Sequence, residues 1–172
     1  MKSLLKAGVA AVVMAASAPA LAGPTEDLQG VIADHWKWFL SENPVYATIL
    51  GVHDRDDQLN EVTLAAFDRQ AKAAQGFLDR LKAIPDDQLS PADRTNKGVL
   101  ARLLSDQVEG NRYGERMMLF STYDGWHQSF AGIADNLPFR KKADYENYLK
   151  RLAAYPKLNG DAIAISRQAV AK

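Results

Sequence analysis

Apolar residues recur three or four positions apart in one segment after another, and no segment alternates apolar and polar residues as a half-buried strand would. This spacing places the apolar side chains on one face of an α-helix, and another element must cover that face. The clearest stripe consists of Leu64, Phe67, Ala71, Ala74, Phe77, Leu78 and Leu81. The sequence therefore predicts an all-α fold in which amphipathic helices pack as a bundle-like layer.

Prolines and capping residues divide the chain into seven predicted helical segments. Ser90-Pro91-Ala92-Asp93 gives the clearest start, with a capping hydroxyl, a proline at the first helical position and an acid in the first turn. Thr25 is predicted to cap the first helix, and Pro156 is predicted to end the sixth. The inward face of that sixth helix is predicted to comprise Tyr145, Tyr148, Leu149 and Leu152. The segments span about 26–41, 44–51, 64–83, 91 to Gly110 or Gly114, 126–136, 143–155, and 159 to the last residue.

Residues 1–22 have the three parts of a cleavable secretory signal peptide. Lys2 and Lys6 supply the positive start, an apolar run follows, and Ala20-Leu21-Ala22 supplies the small-x-small cleavage pattern. The apolar run is shorter than the roughly 20 residues that a permanent transmembrane helix needs. No cysteine follows the cleavage position to carry a lipid anchor. We therefore expect a protein that is free in the periplasm or secreted, with residues 23–172 forming one helical domain.

The charge balance limits the class of partner. The whole sequence has 21 basic and 21 acidic residues, so loss of Lys2 and Lys6 with the signal peptide leaves a net charge of −2. Nucleic-acid binding depends on surplus basic charge, so no nucleic-acid partner is expected. The chain also has no cysteine, which excludes disulfides and a thiol nucleophile.

The residues that could carry chemistry are few and scattered. His35, His53 and His127 do not have the four-residue spacing by which two helical histidines bind one zinc ion. Residues 53–57, His-Asp-Arg-Asp-Asp, form the densest polar cluster, but the glycine and the glutamate of a calcium loop are missing. We interpret this cluster as a hydrated loop whose aspartates cap nearby backbone N–H groups. The sequence assigns no catalytic, cofactor-binding or metal-binding residue.

The last predicted helix still shows its apolar period, through Ile165 and Val170, where the sequence stops at Lys172. No glycine, proline or polar cap follows it. This pattern favours the N-terminal part of a longer helical protein, so we expect the domain 23–172 to be incomplete at its C-terminal end. The alternative is a stand-alone periplasmic helical module that binds a partner or ligand without enzymatic activity.

Two blocks of the sequence are distinctive as strings. The first is Phe39-Leu40-Ser41-Glu42-Asn43-Pro44, followed by Ala47–Asp54, Asp56-Asp57 and Leu59. The second is Pro138-Phe139, followed by Asp144–Leu149, Arg151-Leu152 and Pro156. In this order the blocks resemble the opening of a large bacterial family called domain of unknown function 885. The resemblance covers about residues 27–172 and departs at Arg55, where an aromatic residue is expected.

The resemblance implies a mostly helical zinc metallopeptidase, much longer than this chain, whose His-Glu-x-x-His helix lies beyond the matched region. None of the family's catalytic residues can be carried over onto a position of this sequence. Zinc is therefore expected only in a full-length protein, and whether this chain belongs to an enzyme stays open. On this resemblance we expect the chain to shape or cover a cleft that binds a peptide substrate, and to be inactive by itself.

Overall fold

The computed structural model describes residues 23–121, 123 and 125–171, and the predicted signal peptide lies outside them. Within these ranges the chain forms helices and no strand, which confirms the all-α prediction. The helices are α1 (Pro24–Glu42), α2 (Pro44–Ile49), α3 (Leu64–Lys82), α4 (Pro91–Tyr113), α5 (Trp126–Ala131) and α6 (Lys142–Val170). Short 3-10 turns lie at Asp86–Gln88, Glu115–Met117 and Ile133–Asn136. None of the helices in these ranges has the length and apolar character needed to cross a membrane.

Helices α1, α3 and α4 pack together around the main apolar core. On α3, four of the five buried residues, Ala71, Ala74, Leu78 and Leu81, belong to the stripe that the sequence predicted, and the fifth, Ala66, does not. The core consists of Leu28, Val31, Ala74, Leu78, Leu81, Ile84, Leu89, Leu100 and Leu104. We call this the three-helix core.

The predicted caps hold for α4 and fail for α1. The Ser90 hydroxyl accepts a hydrogen bond from the backbone N–H of Asp93 at 3.1 Å. In α1, however, Pro24 takes the first helical position that suits its fixed φ, so Gly23 becomes the N-cap. The Thr25 hydroxyl instead donates to the Asp93 carboxylate at 3.3 Å, which ties the start of α1 to the start of α4.

Pro156 does not end a helix, because the sixth and seventh predicted segments form the single helix α6. An interior proline removes one backbone hydrogen bond and costs about 3 kcal/mol. Contacts with α5 on both sides of the proline offset this loss. The Phe130 ring stacks on Tyr155 with centroids 3.9 Å apart, and the Trp126 indole N–H donates to Asn159 Oδ1 at 2.7 Å. The short helix α5 therefore bridges the proline position.

The inward face of α6 also differs from the prediction. Tyr145, Leu149 and Leu152 are 54%, 61% and 38% exposed. Tyr148 faces inward as predicted, and the rest of the inward stripe consists of Arg151, Tyr155, Leu158, Ala162 and Ile165. The prediction did not include Arg151, because charged side chains are rarely buried. Neighbouring helical positions point about 100° apart, so burying Arg151 turns Leu152 outward.

Candidate functional site

The polar loop that the sequence singled out lies against a buried arginine from α6. Arg151 is 1% exposed. Its Nε donates to the carbonyl oxygen of Gln58 at 2.8 Å, and its Nη2 donates to the Thr48 hydroxyl at 2.7 Å. The carbonyl oxygens of Pro44 and Arg55 lie 3.2 and 3.3 Å from the same Nη2. We call Arg151 with these four acceptors the arginine clamp, and it joins α2, the loop and α6.

Thr48 extends the arginine clamp to a carboxylate of the loop. A hydroxyl that accepts from Arg151 keeps one proton to donate, and Asp56 Oδ1 lies 2.7 Å away from it. The other oxygen of Asp56 lies 2.9 Å from His53 Nδ1. Burial lowers the pKa of Arg151, and the carboxylates of Asp56 and Asp57 oppose that shift. Asp56 thus bonds side chains that position the loop, whereas the sequence interpretation expected it to cap backbone N–H groups.

The pocket that Arg151 itself lines is too small for a substrate. The pocket there, lined in part by Asp144, Tyr148 and Arg151, has a volume of about 10 Å³ and holds one water molecule at most. Asp144 accepts hydrogen bonds from the backbone N–H groups of Arg140 and Lys141 at 2.9 and 3.1 Å. These bonds lower the pKa of the Asp144 carboxyl. The arginine clamp is therefore a structural joint.

The three histidines have separate surroundings. His53 belongs to the loop, His127 is exposed on α5, and His35 lies between the rings of Trp38 and Phe77, with centroids 5.6 and 5.4 Å away. Burial lowers the pKa of His35. Across residues 23–121, 123 and 125–171, no group of three or more His, Cys, Asp or Glu side chains could hold a metal ion. Zinc needs three or four converging ligands, so the described residues do not fit a zinc ion.

An apolar pocket of about 250 Å³ lies where α5 and α6 meet the chain that follows the loop. Its apolar lining comprises Val45, Val62, Trp126, Phe130, Ile133 and Leu158. A second pocket, of about 320 Å³, adjoins the first because Leu59, Asn60, Val62 and Leu158 line both. We call the two pockets together the groove. The same α5 contacts that bridge Pro156 position Trp126 and Phe130 in its wall.

Charged side chains line the second pocket of the groove. Lys157 pairs with Asp161 at 2.6 Å, and Glu61 pairs with Arg69 at 3.0 Å. Hydrogen bonds from the Thr63 hydroxyl and from Arg69 lower the pKa of Glu61. The groove therefore has one apolar end and one charged end.

The backbone along the groove has unused hydrogen-bonding groups. Residues Leu59–Val62 form no helix or turn, and no hydrogen bond from any described residue reaches their N–H and C=O groups. Asn60 Nδ2 donates to Asn43 Oδ1 at 3.0 Å, and Asn43 Nδ2 donates to the Phe39 carbonyl at 2.8 Å. These bonds fix the orientation of both amides. They leave Asn60 Oδ1 buried without a partner among the described residues.

Sequence reasoning found the polar loop but missed the arginine clamp and the groove. Arg151 belonged to the second distinctive block, yet periodicity alone assigns a single arginine to solvent. One usable signal was its register, three residues after Tyr148 and four before Tyr155. The groove gave no local signal, because its residues come from separate segments that only the fold brings together.

A comparison with protein families matches most of the chain. A family described as bacterial protein of unknown function (DUF885) matches residues 44–172. The matched region begins at Pro44, whose carbonyl belongs to the arginine clamp, and it includes every residue of the clamp and the groove. No curated protein and no solved structure matches the chain.

Proposed function

We propose, from the premise that this chain belongs to the bacterial family DUF885, that it forms a non-catalytic helical region whose groove binds an extended peptide. The unpaired backbone of Leu59–Val62 carries this proposal. A peptide laid beside such a segment gains main-chain hydrogen bonds, while neighbouring pockets receive its alternate side chains. The adjoining 250 Å³ and 320 Å³ pockets offer two such positions.

The lining of the groove indicates what kind of peptide fits. An aliphatic side chain such as leucine suits the apolar pocket between Trp126, Phe130 and Leu158. A polar side chain suits the second pocket, where Glu61 can accept a hydrogen bond and Lys157 can donate one. A peptide N–H would also give Asn60 Oδ1 the donor that it lacks.

We place this region in an exported protein that resembles zinc metallopeptidases and acts in the periplasm or the medium. The signal-peptide pattern of residues 1–22 supports export, and the metallopeptidase part rests on the resemblance of the two sequence blocks. Since the described residues do not fit zinc, a zinc site and peptide hydrolysis would belong to polypeptide beyond them. The exposed apolar side chains of α6, such as Leu149 at 61%, support a further packing partner for this helix.

The first test measures peptide binding to the purified chain 23–172. The probe is a blocked pentapeptide with leucine and glutamine at alternating positions, and tryptophan fluorescence reports the occupancy beside Trp126. We expect saturable binding with a dissociation constant on the order of 10⁻⁴ M. The same peptide with methyl groups on alternate backbone nitrogens should bind about tenfold more weakly, because it lacks the main-chain donors. Equal affinity of the two peptides would contradict pairing along Leu59–Val62.

Two matched variants of α6 locate the binding site. Leu158→Gln alters the groove, whereas Leu152→Gln alters an exposed position on the same helix. We expect the first to weaken binding about tenfold, since it places a polar group in the apolar pocket, and the second to leave binding unchanged. Equal effects of both variants would move the binding site away from the groove.

Hydrolysis and protein size test the remaining parts of the proposal. The chain 23–172, incubated with zinc and the same peptide, should leave the peptide intact in mass spectrometry, and cleavage would overturn the non-catalytic assignment. The mass of the mature protein from its native source, read together with the downstream coding sequence, tests the larger context. A product of several hundred residues with His-Glu-x-x-His is expected. A product that ends at Lys172 would leave a stand-alone peptide-binding module.

A further inference from the structure

Another pocket, separate from the groove, lies between α3 and the C-terminal end of α4. Its volume is about 230 Å³, and it shares no lining residue with the groove. Phe67, Gln70, Gln107, Asn111, Arg116 and Leu119 contribute to its lining. Gly114 has φ +86°, a left-handed conformation that turns the chain sharply after α4 and brings Arg116 back to Asp68 on α3. We call this the amide pocket.

Two residues that line the amide pocket each have a buried polar atom without a partner. Within the described ranges, three buried side-chain N or O atoms lack a hydrogen-bond partner, and two of them are Asn111 Oδ1 and Arg116 Nε. Both residues line this one pocket. Buried polar groups in proteins are nearly always paired, so two orphans at one pocket point to a missing ligand.

Asp68 holds both orphan residues in place. Its Oδ1 accepts from Asn111 Nδ2 at 3.0 Å and also pairs with Arg116 Nη1. Because the Asn111 nitrogen donates to a carboxylate, its oxygen is the atom left without a partner. One orphan is thus an acceptor and the other a donor, and neither can rotate away without breaking its bond to Asp68.

The charges around the pocket exclude an anion. Arg116 is already paired with Asp68, and Glu115, the carboxylate in the pocket lining, would repel a negative ligand. A cation would provide a donor for Asn111 Oδ1 but no acceptor for Arg116 Nε. A neutral planar group with one N–H and one C=O satisfies both orphans. The Phe67 ring and the Leu119 side chain provide apolar surface for the carbon atoms beside such a group.

We propose that this pocket binds a neutral amide, whose N–H donates to Asn111 Oδ1 and whose C=O accepts from Arg116 Nε. The amide can come from a peptide backbone or from the carboxamide of an Asn or Gln side chain. The site is independent of the groove, so failure of one proposal leaves the other standing.

The test is an NMR titration of the isotope-labelled chain 23–172, followed through the Arg116 Nε–H and Asn111 side-chain signals. N-methylacetamide represents the peptide group and acetamide represents the carboxamide. N,N-dimethylacetamide keeps the carbonyl but has no N–H, so it cannot donate a hydrogen bond to Asn111 Oδ1. We expect saturable shifts in the millimolar range with one of the first two probes, and at least fivefold weaker binding of the dimethyl probe. The better of the first two probes identifies the source of the amide.

A conservative variant tests the donor without disturbing the charge. Arg116→Lys keeps a cation that can pair with Asp68 but removes Nε, whereas Arg112→Lys makes the same change beside the exposed Tyr113 ring. We expect binding to be lost in the first variant and retained in the second. If the shifts are linear without saturation, or all three probes behave alike, the pocket holds water only and the proposal is wrong. The probe comparison decides this outcome even if Arg116→Lys fails to fold.

Discussion

The three-helix core and the arginine clamp hold one chain together by opposite means. The core distributes its stabilisation over nine apolar side chains, and apolar burial is non-directional. The clamp concentrates four acceptors on a single guanidinium, so one substitution removes a hydrogen bond from each of them. The clamp also lies entirely in the region that the family match covers, whereas α1 lies before it. The arginine clamp is therefore less redundant than the three-helix core, because it depends on a single side chain.

The largest effect is expected where that redundancy is lowest. Arg151→Met keeps much of the side-chain volume but leaves the Thr48 hydroxyl and three carbonyls without their donor. We expect the free energy of unfolding to fall by about 4 kcal/mol, measured by urea denaturation with circular dichroism. The neighbouring change Lys150→Met removes an exposed pair with Asp57 and should cost less than about 1 kcal/mol. Similar losses in both variants would contradict the clamp.

The core substitution Leu104→Ala should follow, with a loss of about 3 kcal/mol from the cavity it leaves. Because the effect is local to α1, α3 and α4, the Arg151 Nε–H signal in NMR should stay where it is in the parent chain. A large shift of that signal would show that the three-helix core and the arginine clamp are coupled.

Two threonines in equivalent positions allow the contribution of the Thr48 hydroxyl to the arginine clamp to be measured. Thr48 and Thr95 each lie four residues after a proline whose carbonyl oxygen is 3.0 Å from the threonine hydroxyl, but only the Thr48 hydroxyl also accepts from Arg151. Thr48→Val should lower the free energy of unfolding by about 2 kcal/mol, since the buried Arg151 Nη2 loses the Thr48 hydroxyl as an acceptor. Thr95→Val should change it by less than about 0.5 kcal/mol, as expected at an exposed site. Equal changes in urea midpoints would mean that the hydroxyl contributes nothing to the clamp.

The smallest expected effect is the contribution of His35, which lies among aromatic rings, to the pH dependence of the free energy of unfolding. Burial lowers the pKa of His35 in the folded state below its ordinary 6.5, so the unfolded chain takes up the proton first as the pH falls. The contribution of His35 is fully present above pH 6.5 and is lost as the pH drops toward the folded-state pKa. Urea denaturation at pH 7.5 and pH 5.5 should show a smaller loss in His35→Phe than in the parent. An identical loss in the two proteins would assign the pH dependence to other groups.

The sequence predicted what depends on local signals and missed what depends on distant partners. The Ser90 cap and the α3 stripe were correct because a hydroxyl three residues from an N–H, or a 3.6-residue period, acts within one helix. The continuity of α6 through Pro156 was missed because α5 supplies the compensating contacts. The groove was missed for the same reason, since only tertiary packing brings Val45, Val62 and Leu158 to one surface.

The position of Arg151 in the chain determines when the arginine clamp can form during synthesis. Its four acceptors precede it by between 93 and 107 residues. At a synthesis rate of 5–20 residues per second, they wait about 5–20 s for their donor to be made. The last helix of the three-helix core is finished at Tyr113, well within that interval. All nine residues of the three-helix core are therefore made before Arg151, and the Gln58 carbonyl still lacks its donor when the last of them has been added.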